Sequence, residues 1–199
     1  MKSSLIILMF FVIGIIFGLL NIIPLKIVNS NISTYSLYLL MFLVGIGVGG
    51  DRKTWKILKE INIKILLVPF IVIVGSLLGT AVLSLFLKDI NIKEALAVGA
   101  GFGYYSLSSI IITKFHGETL GVVALIANLI REITTILLTP LLAKYFGKLA
   151  PIASGGATSM DTTLPIITKF VGKEYAIISV FSGVVLTILV PFLVTFIIK

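Results

Sequence analysis

SGGATSMDTTLP, residues Ser154–Pro165, sets two glycines, several hydroxyl side chains and the carboxylate of Asp161 between segments that are almost pure hydrocarbon. How that string is read depends on the rest of the chain. Hydrophobic residues make up 58% of the 199 residues and charged residues 12%. Soluble domains carry about a quarter charged residues, so this composition cannot cover a globule with polar surface. Apolar runs recur along the chain, each long enough to cross a hydrocarbon core, which takes about 20 helical residues. The expected class is an all-α polytopic protein of the lipid bilayer, with the polar string at membrane depth.

Apolar segments fall at roughly 4–22, 34–50, 64–87, 94–113, 119–145, 151–169 and 175–198, which predicts seven membrane segments. The first run, Leu5–Leu20, lacks a small-residue cleavage site and is read as a helix of the mature chain. The gap Asp51–Lys64 holds Arg52, Lys53, Lys56, Lys59 and Lys64 against Asp51 and Glu60. An excess of Lys and Arg retains a loop in the cytoplasm. Counting crossings from there predicts a multi-pass protein of the plasma membrane with its N-terminus inside and its C-terminus outside. Trp55 reads as an interface anchor. The net charge of +8 is explained by such loops rather than by a nucleic-acid partner. With no cysteine, thiol chemistry is absent, and nothing in the sequence implies a cofactor or a metal.

An internal echo is present. IITKFHG (Ile111–Gly117) recurs as IITKFVG (Ile166–Gly172), 55 residues later, and GAGFGYYSLSS then lies over GGATSMDTTLP. Within one transport domain, 1–199, this suggests a weak repeat of 94–145 in 151–198. With two crossings between the copies, Lys114 and Lys169 are both expected in the cytoplasm.

Both polar strings sit in the middle of segments otherwise fit to span. Irregular backbone at that depth is tolerated where it is buried in protein or lines a watery cavity. Glycine costs about 1 kcal/mol inside a helix, and Pro165 removes a backbone donor. Two broken (discontinuous) helices are therefore expected, their free N–H groups suited to anions and their free carbonyls to cations. The fifth segment adds Asn128, Arg131 and Glu132 at its centre, where charges are costly and mark functional sites. At 100° per residue Asn128, Glu132, Thr135 and Thr139 share one stripe, and Arg131 points aside. An Arg131–Asp161 ion pair is the structural alternative. The candidate substrate- and proton-binding set is Glu132, Asp161, Asn128, Arg131, Gly155, Gly156, Thr158, Ser159, Tyr104 and Ser106. His116 and Glu94 read as solvated loop residues.

GFGYYSLSS (Gly101–Ser109), IREI (Ile130–Ile133), GGATSMDTTLP (Gly155–Pro165), VLTILVPFLVTF (Val185–Phe196) and FLVGIGVG (Phe42–Gly49) resemble, in order, segments of the lysine exporter family. The resemblance implies export of L-lysine and of toxic analogues such as thialysine in exchange for protons, with intramembrane carboxylates essential. On this chain those are Glu132 and Asp161. The implied fold is that of the cation/proton antiporter–anion transporter group, where two interrupted helices cross at the midplane. The second string would hold the α-carboxylate of the amino acid, while Asp161 and Glu132 handle its cationic nitrogen and the proton. Many family members carry about three further N-terminal helices, which implies a homodimer or a small separately encoded subunit as partner.

Other classes fit less well. Intramembrane aspartyl proteases need YD and GxGD motifs, and neither Asp51 nor Asp161 stands in one. A rhomboid-type protease needs a buried histidine, and His116 is the only histidine. A channel would be expected to show rings of charge. A sodium/proton or organic-anion carrier of the same fold is the alternative, and an organic anion would need Arg131 free.

Overall fold

The computed structural model describes residues 63–172 and 175–199, together with Met9, 12–14, 16–20, Tyr35 and Leu39. The expectations for 34–50 and for the basic gap with Trp55 lie largely outside these residues. Among the described residues the protein is all-helical. Three helices among the described residues are long and apolar enough to cross a membrane: α1 (Ile63–Ser84), α4 (Glu118–Tyr145) and α7 (Ala176–Ile198). The remaining elements are shorter. They are α2 (Ile92–Gly99), α3 (Tyr105–His116), α5 (Ala150–Gly155), a 3-10 turn (Gly156–Met160) and α6 (Leu164–Val171).

The stretch 94–113 does not traverse the molecule. Asn91 caps α2, accepting from the Glu94 amide at 2.9 Å while its own N–H donates to Glu94 Oε2 at 2.8 Å. The other oxygen of Glu94 lies 3.2 Å from Nε2 of His116, the last residue of α3. The chain enters along α2, turns at residues 100–104 and returns along α3. Glu94 and His116 thus close the base of a helical hairpin rather than idling in loops.

The stretch 151–169 likewise folds back. Ile152 of α5 and Ile167 and Val171 of α6 share one apolar cluster with Val68, Ala143 and Tyr175. Lys148, just before α5, stacks on the ring of Tyr175, just before α7, 5.2 Å away. Pro165 falls in the first turn of α6, where its missing N–H has no helical acceptor to lose. It starts the returning arm and breaks nothing. In place of two interrupted crossings there are two hairpins.

The hairpins enter from opposite ends. The base of the first adjoins Glu118 at the start of α4, with Lys199 at the end of α7 over the ring of Phe115, 5.3 Å away. The base of the second adjoins Tyr145, the other end of α4. Twenty-eight helical residues separate these ends by about 42 Å. Lys114 and Lys169 therefore sit at opposite ends, not on one side, because one long helix and not two crossings lies between the copies. The echo itself has a local cause. Gly117 (φ 90°) and Gly172 (φ 108°) each end a returning arm in a left-handed conformation that L side chains avoid, and Lys114 and Lys169 lie in the last turns they close.

Candidate functional site

The tips of the hairpins meet beside the middle of α4. The Ala157 amide donates to the Phe102 carbonyl at 2.9 Å. Phe102 is fully buried and has φ +47°, a conformation costing about 1–2 kcal/mol for a residue with a side chain. That backbone turns its carbonyl onto the second hairpin. Gly156 faces it with φ +60°, and a Cβ there would run into the same carbonyl. Only glycine lets the two backbones approach this closely.

Polar side chains of α4 hold both tips. Asn128, Glu132, Thr135 and Thr139 are all buried on one face, as the helical stripe predicts. Asn128 accepts from the Gly103 amide at 2.7 Å and donates to the carbonyls of Val98 (3.1 Å) and Ala124 (2.9 Å). Arg131 does the same for the second hairpin. Its Nε donates to Ser154 O at 2.9 Å, and its two terminal nitrogens to Ala153 O (3.0 Å) and to Ser76 Oγ on α1 (2.9 Å). Carbonyls at the end of α5 carry the negative pole of that short helix, which a cation suits. No Arg131–Asp161 ion pair forms.

The string that opened the sequence is largely self-contained. Thr158 Oγ1 donates to Gly155 O at 2.9 Å, and Thr163 Oγ1 to Thr158 O at 3.0 Å. Ser159, with no exposure, donates to Gly156 O at 2.7 Å and to Ser179 O on α7 at 2.9 Å, while Ser179 Oγ returns a bond to Ser159 O at 2.8 Å. The hydroxyls of Thr158 and Ser159 thus face backbone carbonyls, and Gly155 and Gly156 serve close packing.

Asp161 differs. It is exposed and lines a cleft of about 500 Å³ with Gly103, Tyr104, Tyr105, Ser106, Thr158 and Thr162. Its Oδ1 accepts from the Thr162 amide (2.5 Å) and hydroxyl (3.3 Å). Glu132, with no exposure, does not line the cleft, but the charges of the two acids lie within electrostatic reach, as do Asp161 and the Tyr104 phenol. The structure thus brings Asp161, Tyr104, Ser106 and Thr158 to one cavity and sets Asn128, Arg131 and Ser159 behind it as staples. The sequence reading missed Ser76, Phe102 and Ser179. Ser179, Ser182, Gly183 and Thr187 form a small and polar stripe, all buried, on a mostly apolar α7, and that spacing is the signal for Ser179.

The family described as "Lysine exporter LysO" matches residues 8–198. The chain is 38% identical over 169 residues to the Escherichia coli protein named "Lysine exporter LysO", covering 84% of this chain and 55% of that protein. It is 37% identical over 187 residues to a Haemophilus influenzae protein named "Putative lysine exporter", covering 93% of each. No solved structure matches.

Proposed function

The chain belongs to the lysine exporter family, a family of transporters and not of enzymes, and from that premise we propose that it exports L-lysine, and analogues such as thialysine, in exchange for protons. The carrying observation is Asp161, exposed in the cleft where the hairpin tips meet, while Glu132 lies fully buried on α4. Asp161 receives the substrate's ammonium group. In the empty cleft Asp161 and Glu132 together hold a proton, and the arriving ammonium expels it to water. Two positive charges then compete for one pair of acids, which is the minimum an exchanger needs. The organic-anion alternative would require a free cation, and every nitrogen of the Arg131 guanidinium is committed to a carbonyl or a hydroxyl.

Three crossings by α1, α4 and α7, plus the two apolar segments before them, make five, with two hairpins re-entering from opposite faces. An odd count keeps the N-terminus inside and the C-terminus outside the plasma membrane. It also moves Lys144 and Lys148 to the cytoplasmic side, where the excess of Lys and Arg is expected. The repeat is then an inverted one, of the kind found in secondary transporters. The working unit is a homodimer or includes a small separately encoded subunit. The test is expression, alone and with such a subunit, in a host lacking lysine export. Resistance to thialysine and lysine efflux are expected, and their absence under both conditions would favour a sodium/proton carrier.

A further inference from the structure

We propose that Ser106 decides the substrate class of this cleft, by donating its hydroxyl to the substrate's carboxylate opposite the acid that holds its ammonium. The assignment rests on the lysine reading above.

The two walls of the cleft correspond. Ser76 and Arg131 are hydrogen-bonded and 55 residues apart. The bonded pair Phe102 and Ala157 has the same separation. So has Gly103 with Thr158, whose Cγ2 would lie 3.6 Å from a Cβ on that glycine. The same spacing matches Ser106 to Asp161, and both line the cleft. At this matched position one wall carries a carboxylate and the other a hydroxyl. The difference gives an otherwise paired cavity a positive-seeking side and a negative-seeking side.

The donors agree. On the second hairpin the hydroxyls of Thr158 and Thr162 are committed to Gly155 O and to Asp161. On the first, neither the Tyr104 phenol nor the Ser106 hydroxyl donates a hydrogen bond within the described residues. Arg131 does not line the cleft, and its nitrogens hold α5 and Ser76 behind it. The donors open to an anion therefore lie on the wall facing Asp161. An amino acid with a cationic side chain presents an ammonium and a carboxylate and fits both walls. A diamine of the same length presents ammonium groups alone and gains nothing from Ser106.

Equilibrium binding of L-lysine and of 1,5-diaminopentane to the intact protein in lipid nanodiscs separates these roles. Ser106→Ala is expected to weaken lysine binding about ten- to a hundredfold, the range for losing a hydrogen bond to a charged group. Diaminopentane binding should change less than about twofold, and Ser106→Thr should restore lysine. Ser106→Asp, with acids on both walls, should lose lysine and bind the diamine more tightly. Equal weakening of both ligands by Ser106→Ala, or no change in lysine, overturns the assignment while leaving lysine export standing. Failure of the unmodified protein to bind lysine removes the lysine reading and this assignment with it.

Discussion

The Phe102 carbonyl and the Ala157 amide, 55 residues apart, are joined by a 2.9 Å hydrogen bond. This bond ties a hairpin entering from one end of the molecule to a hairpin entering from the other. Everything at the candidate site hangs on that joint, because the cleft is built from the residues just beyond it on each tip.

Gly156→Ala should damage the joint most directly. The added Cβ meets the Phe102 carbonyl, and φ +60° disfavours any side chain. A loss of about 1–3 kcal/mol is expected from strain of this kind. Thermal unfolding in detergent should show a lower midpoint, and an unchanged midpoint would mean that the tips can separate freely.

Arg131→Lys should behave almost as badly as Arg131→Met. The planar fork reaches two carbonyls and Ser76 at once, and an ammonium on a flexible stem does not reproduce that geometry. About 1–3 kcal/mol of stability should be lost in both variants, with no change in which substrates the remaining folded protein takes. A lysine variant as stable as the wild type would show that charge alone suffices there.

Asp161→Asn and Glu132→Gln should differ from each other. Both should abolish proton-coupled export while the protein still folds. Lysine binding should fall at least about tenfold in Asp161→Asn, from loss of a charged partner, and change only a few-fold in Glu132→Gln, which does not line the cleft. Proton-coupled lysine export retained by both would make the two acids structural.

The topology is open to single-cysteine labelling, since the chain has no cysteine of its own. Lys114→Cys and Lys199→Cys lie at the same end and should both react with an impermeant reagent added outside. Lys148→Cys and Lys169→Cys should be protected. Opposite outcomes for Lys114 and Lys199 would contradict the first hairpin.

Ser159 and Ser179 exchange hydrogen bonds between the 3-10 turn and α7. Their alanine variants should be coupled by about 1 kcal/mol in a double-mutant cycle of stability. Strict additivity would show that the pair contributes independently.

The buried face of α4 was legible because helical periodicity is a local property: Asn128, Glu132, Thr135 and Thr139 fall on it as the 100° rule places them. The direction of the hairpins was not. A chain that crosses a membrane and a chain that enters and returns have the same apolar composition, and only a contact such as Glu94 with His116 tells them apart. The burial of Glu132 was readable too, since a carboxylate at the centre of an apolar helix is rarely left facing lipid. The commitment of Asn128 and Ser159 was not, since a hydroxyl or amide bonded to a distant carbonyl looks in sequence like one awaiting a ligand. Ser179 was marked by the small and polar spacing it shares with Ser182, Gly183 and Thr187, but its pairing with Ser159 was not.

The shortness of the hairpin arms has an electrical consequence. α2 and α6 are 8 residues each, about 12 Å of helix, against a hydrocarbon core of about 30 Å. Wherever water reaches both tips, the insulating layer is only the crossing of Phe102 and Ala157. A membrane voltage, about 2.3 kcal/mol per unit charge per 100 mV, then drops mainly across that thin septum. An ammonium moving only from one side of the joint to the other feels most of it. On the proposed exchange, a proton returning by the same acids would feel the same drop in reverse. Under the exchange proposed above, a one-for-one trade of lysine for a proton moves no net charge, and a membrane voltage neither holds lysine in nor drives it out.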